Sequence, residues 1–128
     1  MNLKHLHLAS RDHAASEHFY GTYFGFGLGG SFPRGDQPAA TIIRAPNGFQ
    51  IYLEAASGEA LPGWFHFGFL VESAAACAAL YERMSRDQIS ILRPLVSVPF
   101  ASYFCADPDG HQVQVYFDPS ASSLEQAS

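Results

Sequence analysis

Apolar and polar residues alternate in the first segment of the chain, residues 3–9. Leu6 and Leu8 fall on one face of this segment, whereas His5 and His7 fall on the other. Successive side chains in a strand point to opposite faces of a sheet, so this spacing is typical of a strand with one buried face. The segment therefore predicts a strand that directs its leucines toward a core and its histidines toward an open face.

A helix and three strands are predicted after this first strand. Asp12 is a typical N-cap residue, apolar residues recur at helical spacing as far as Phe24, and Gly25 can end the helix. The pattern that follows predicts three strands, at residues 27–32, 40–45 and 49–55. The sequence PNG at residues 46–48 predicts a hairpin turn between the last two of these strands.

The second half of the chain repeats this order of elements. His5 superposes on His66 at an offset of 61 residues, and Pro46 superposes on Pro108 at an offset of 62. The sequence DPDG at residues 107–110 predicts a turn that matches PNG. The predicted elements of this half are a strand at residues 64–71, a helix from Ser73 to about Met84, and strands at residues 90–96, 102–106 and 112–117.

The internal repeat predicts an α+β fold in which two βαβββ modules form a curled mixed sheet with an open cup. The modules span about residues 1–57 and 62–119 of one single domain, residues 1–119, and the polar residues 120–128 form a C-terminal tail. If the helices cover the apolar face of the sheet, then His5 and His66 line the cup on the opposite face.

The composition excludes several classes of function. Hydrophobic residues make up 48% of the 128-residue chain and the net charge is −5, with seven scattered Lys and Arg residues, so a nucleic-acid partner is not expected. No apolar segment is long enough to span a membrane and no signal pattern opens the chain, which predicts a cytoplasmic protein. Cys77 and Cys105 lie in apolar elements, so buried free thiols are expected.

Three segments resemble the vicinal oxygen chelate superfamily, the group that includes glyoxalase I, fosfomycin-resistance enzymes, extradiol dioxygenases and bleomycin-resistance proteins. HLHLASRDHAASEHFYGTYFGFG from His5 is similar to the family's opening strand and helix. HFGFLVES from His66 is similar to the start of the second module, and DPDGHQVQVYF from Asp107 to its closing hairpin. The resemblance covers Leu3 to Asp118 and implies the two-module fold, but this fold carries many activities.

The resemblance also implies a metal site. His5, His66 and Gln114 match three of the family's ligand positions, so a divalent ion such as Zn, Ni, Mn or Fe is expected, or none at all if the site has lost its affinity. Gln114 stands where the family most often has glutamate, and its amide is neutral. Tyr52 matches the remaining position, and Glu54, on the same face, is the alternative.

The other candidate residues of the cup have roles in substrate binding or proton transfer. Glu54 is the candidate catalytic base if it points inward, and otherwise a solvated acid. Trp64 shares a face with His66, which favours stacking on a planar ligand. The predicted substrate-binding residues are His7, Tyr52, Trp64, Gln112 and Tyr116.

Three functions remain open at this point. The first is a metal-dependent enzyme whose metal acts as a Lewis acid on a small oxygen-bearing substrate. Isomerase or lyase chemistry is favoured over ring cleavage, because Phe104 stands where extradiol dioxygenases keep a tyrosine. The second is a metal-free protein of the bleomycin-resistance type that binds a small molecule, and the third is a regulatory or assembly subunit without a ligand. Of the cations, Arg11 and Arg93 are the candidates for substrate contact, and the pattern does not place either in the cup.

The state of assembly is predicted from the same resemblance. Superfamily members commonly pair as dimers, and this chain has many apolar residues on short strands. A homodimer that binds a small molecule is therefore expected.

Overall fold

The computed structural model describes residues 1–56, 58 and 61–120. The chain divides into two compact units, Met1–Leu61 and Pro62–Ser128. None of the helices in the described ranges has the length and apolar character needed to cross a membrane.

The first unit is a four-stranded mixed sheet with one helix. Its strands lie in the order β1-β4-β3-β2, with β1 parallel to β4 and the other neighbours antiparallel. The elements are β1 (His5–Ser10), α1 (His13–Phe24), β2 (Gly27–Arg34), β3 (Gln37–Arg44) and β4 (Gln50–Ala55).

The second unit repeats this topology. Its strand order is β5-β8-β7-β6, again with one parallel pair, β5 and β8. The elements are β5 (Phe67–Leu70), α2 (Ala74–Arg86), β6 (Ile91–Val96), β7 (Ala101–Ala106) and β8 (Gln112–Phe117). The α+β fold of two βαβββ modules is therefore confirmed. The single cooperative domain and the C-terminal tail stay predictions, and residues 121–128 of the tail lie outside the described residues.

Both helices begin at the predicted N-caps. The Asp12 carboxylate accepts a hydrogen bond from the Ala15 amide at 3.2 Å, and the Ser73 hydroxyl accepts one from the Ala76 amide at 2.9 Å. Such a cap stabilises a helix by about 1 kcal/mol. Gly25 ends α1 in the left-handed region, with φ at 74°, where a residue with a Cβ would be strained.

The strand at the start of the second unit is shorter than predicted. Residues 64–71 were expected to be extended, whereas β5 begins only at Phe67. The Phe65 amide donates to the Pro62 carbonyl at 2.9 Å, so the chain turns at Gly63 and Trp64 before it joins the sheet. Trp64 and His66 consequently precede the strand.

Alternation along the central strands places the core on one face of each sheet. In β4, Ile51 and Leu53 are fully buried, and in β8, Val113 and Val115 are fully buried. Both cysteines are buried free thiols, as predicted, and burial raises the pKa of Cys105 to about 12. The residues between these core positions, which include most of the predicted site, therefore lie on the opposite face of their own sheet.

Candidate functional site

The open face of the first sheet carries a cluster of aromatic rings. His7 pairs with Tyr52 across β1 and β4, and the two rings stack with centroids 4.6 Å apart and planes 22° apart. The His5 ring lies 5.4 Å from that of His7 and 5.5 Å from that of Tyr52. The structure thus brings three predicted site residues together through strand register alone.

Glu54 lies beside this cluster in a hydrogen-bond network with Arg34 and His7. Arg34 Nε donates to Glu54 Oε1 at 3.1 Å, and Arg34 Nη2 donates to Oε2. His7 Nδ1 lies 2.6 Å from Oε2 and carries the proton in this contact, because a carboxylate only accepts. The Arg34 guanidinium, with a smaller contribution from His7, lowers the pKa of Glu54 to about 2, although burial opposes this.

These contacts bear on the two roles expected of Glu54. A carboxylate with a pKa of about 2 is ionised at neutral pH but is a weak proton acceptor. Both of its oxygens already accept hydrogen bonds from Arg34 and His7. The roles of base and of metal ligand stay predictions, and the geometry favours a third, in which Glu54 orients the His7 ring.

The contacts of Glu54 predict that the free energy of unfolding depends on pH in the acidic range. The folded carboxylate of Glu54 is protonated only near pH 2, whereas that of the unfolded chain is protonated near its ordinary value of 4.5. The free energy of unfolding contributed by Glu54 is therefore present above pH 4.5 and is lost as the pH falls toward 2. Urea denaturation across this range should show a smaller loss in Glu54→Gln than in wild type. Glu82→Gln, at an exposed position of α2, is the matched control, and an unchanged slope in Glu54→Gln would contradict the prediction.

The open face of the second sheet presents two candidate ligand atoms. His66 Nδ1 donates to the Trp64 carbonyl at 3.1 Å, which leaves the lone pair of a neutral ring on Nε2. Gln114 Nε2 donates to Ser102 Oγ at 2.9 Å, which fixes the amide and leaves Oε1 as the acceptor. Histidine ligands in metal sites are oriented in this way by a partner on the other ring nitrogen. An imidazole nitrogen and an amide oxygen are both kinds of atom that can bind a divalent metal.

The other predicted residues of this face differ in their surroundings. Gln112 Nε2 donates to the Gly63 carbonyl at 2.6 Å, so it supports the turn before β5. Tyr116 lies on the Gln114 face, next to Phe100 at a ring distance of 6.2 Å. Trp64 is 77% exposed in the turn, and its carbonyl is what orients His66.

Two cationic residues on the open faces were not assigned by the sequence. Arg34, at the end of β2, binds Glu54, and its guanidinium carbon lies 4.7 Å from the Phe32 ring centroid. The guanidinium carbon of Arg93 lies 5.1 Å from the Phe104 ring centroid, and the His66 ring lies 5.0 Å from the same ring. Arg93 therefore shares the open face with His66, which alternation did not indicate.

A further group of potential metal ligands lies in the turn between β7 and β8. One atom each of Asp107, Asp109 and His111 lies within 4.8 Å of the others. Asp107 Oδ1 also accepts hydrogen bonds from the backbone amides of Asp109 and His111, both at 2.9 Å, which stabilises the turn. The spacing of acids and histidine in DPDGH, residues 107–111, is the signal in the sequence for this group.

Comparison with known proteins agrees with this architecture. The family model described as the glyoxalase/bleomycin resistance protein/dioxygenase superfamily matches residues 2–115, so the chain belongs to this superfamily. No curated protein sequence matches it.

Solved structures of the same fold come from diverse organisms. A possible glyoxalase from Bacillus cereus is 27% identical, with a TM-score of 0.77 over 91% of this chain and 98% of that one. The trypanothione-dependent glyoxalase I of Leishmania major is 17% identical, with a TM-score of 0.78 over 99% and 94%. A mutant of the fosfomycin resistance protein FosX from Listeria monocytogenes, complexed with Mn(II) and a dihydroxypropylphosphonic acid, is 16% identical, with a TM-score of 0.79 over 96% and 97%.

Proposed function

We propose that the protein is an enzyme that depends on a divalent metal held by His5, His66 and Gln114. The metal would supply Lewis-acid polarisation to a small substrate with neighbouring oxygen atoms. We favour isomerase or lyase chemistry over ring cleavage because Phe104 lacks the hydroxyl that ring-cleaving relatives keep there. The observation that carries the proposal is the orientation of the ring of His66, whose Nδ1 is bonded to the Trp64 carbonyl, so that Nε2 is available as a ligand.

The residues of the chain have separate tasks in this proposal. Glu54 fixes His7 through Nδ1, and Tyr52 stacks on the His7 ring, so the ring keeps one orientation for substrate contact. Gln112, Tyr116 and Trp64 bind the substrate from the second module. The Phe104 ring packs against the His66 ring, with the two centroids 5.0 Å apart.

A metal-free protein that binds a small aromatic or cationic molecule is the alternative. It is favoured by the uncharged amide of Gln114 and by the contacts that hold the Glu54 carboxylate to Arg34 and His7. The net charge of −5 suits a cationic ligand. In either case we propose a cytoplasmic homodimer, and light scattering that shows only the 13.9 kDa chain would exclude the dimer.

Metal content decides between the two functions. Protein purified without a histidine tag is expected to contain close to one equivalent of a transition metal by plasma mass spectrometry. His66→Ala should lose it, because the ligand with the oriented Nε2 is gone. His18→Ala, at an exposed position of α1, is the matched control and should retain it. Wild-type protein that is metal-free and takes up no added metal would contradict the metal-dependent enzyme and favour the metal-free binding protein.

A further inference from the structure

A row of paired residues crosses the second sheet at the level of Gln114. Arg93 on β6 pairs with Phe104 on β7, Phe104 pairs with Gln114 on β8, and Gln114 pairs with Gly68 on β5. Paired residues of neighbouring strands share a face, so the side chains of the first three lie side by side. With strands about 4.8 Å apart, Arg93 lies two strands, or roughly 10 Å, from Gln114.

Arg93 carries a charge that the described part of the chain does not neutralise. Its guanidinium lies over the Phe104 ring at 5.1 Å, within the range of a cation–π contact, and the residue is exposed. No carboxylate among residues 1–56, 58 and 61–120 forms an ion pair with it. Arg34 on the first sheet differs, because Glu54 binds its guanidinium directly. Of these two arginines, Arg93 is the one whose hydrogen-bond donors are available to a ligand.

The other end of the row is closely packed at Gly68. A Cβ added at Gly68 would lie 3.0 Å from Tyr116 Cε1 and 3.5 Å from Gln114 Oε1. The Tyr116 ring therefore fills the position of a side chain at Gly68, beside the amide oxygen that the proposed function assigns to the metal. Between the Gln114 amide and Arg93, the Phe104 ring forms an apolar floor.

We propose that Arg93 is the subsite for a carboxylate group of the substrate, so that the substrate class is a small organic acid. One end would carry the neighbouring oxygens placed near His66 and Gln114, and the carboxylate at the other end would bind the guanidinium. This assignment rests on the proposed function for the first end only. Guanidinium matches a carboxylate with two parallel hydrogen bonds, and its contact with Phe104 holds it in place.

The test uses 2-oxoglutarate, which has neighbouring oxygens at one end and a carboxylate at the other, and its 5-methyl ester, which lacks that distal charge. Titration calorimetry on the full chain should show that wild type binds the acid roughly tenfold more tightly than the ester. Arg93→Gln should lose this preference, and Arg93→Lys should keep only part of it, because lysine retains the charge but not the paired donors. Arg86→Gln, in the last turn of α2, is the matched control and should bind both probes as wild type does.

The same measurements separate this inference from the proposed function. Zinc uptake by Arg93→Gln should equal that of wild type, and the preference for the acid should persist in protein stripped of metal with a chelator. Failure to bind zinc would therefore remove the metal site and leave the carboxylate subsite standing. Equal binding of acid and ester, binding of neither, or a preference retained in Arg93→Gln would overturn the subsite.

Discussion

Replacement of Gln114 by glutamate is expected to tighten zinc binding at least about tenfold. The wild-type amide offers a neutral oxygen, whereas a carboxylate adds a full negative charge beside a dication, where the local field is strong. The substitution is also compatible with its surroundings. Ser102 Oγ, which accepts from the amide in wild type, can rotate its hydroxyl to donate to one carboxylate oxygen.

Titration of zinc, nickel and manganese into wild type and Gln114→Glu measures this gain. Gln88→Glu is the matched control, because it adds the same charge at an exposed position after α2, away from the proposed ligands. Its metal affinity should stay close to that of wild type. Negligible uptake by both wild type and Gln114→Glu would contradict the metal site, and an equal gain in Gln88→Glu would show a nonspecific effect of charge.

The elements that the sequence predicted well are those specified by local signals. The caps at Asp12 and Ser73 and the stop at Gly25 each depend on residues within one or two turns of the chain. The alternation in β1 likewise directed Leu8 to the core, where it is buried, because the strand is regular along its length. The predicted start of β5 was wrong, because a turn held by the Pro62 carbonyl interrupts an otherwise apolar segment.

The parts of the site that the sequence did not predict depend on contacts between distant segments. Arg34 and Glu54 are on β2 and β4, which are separated by β3, so their ion pair follows only from the strand order. Arg93 lies between two irregularities in the pairing of β6 with β7. Such irregularities break the two-residue period, so alternation could not assign Arg93 to a face.

The ion pair of Glu54 changes what the candidate site can do chemically. From the sequence, Glu54 was the candidate base and the alternative to Tyr52 as a metal ligand. In the structure its hydrogen bonds go to Arg34 and His7, and its low pKa makes it a poor base. Proton transfer in the proposed enzyme would then depend on His7, whose Nε2 stays available when Nδ1 donates to Glu54. Glu54→Gln should therefore keep part of the activity, because its amide oxygen can still accept from His7 Nδ1, whereas His7→Gln should be inactive.

Truncation of Ile51 to alanine is expected to lower the free energy of unfolding by about 2–5 kcal/mol, the usual cost of a cavity in a packed core. Ile51 is fully buried in β4 of the first unit. If residues 1–119 form one cooperative domain, the loss must also appear in the second unit, where Val113 is fully buried in β8. Hydrogen exchange in mild urea should therefore show equal losses of protection in β4 and β8. Val113→Ala is the reciprocal control and should reduce protection in both strands as well. Exchange in β8 that stays at its wild-type rate in Ile51→Ala would show that the two modules unfold independently.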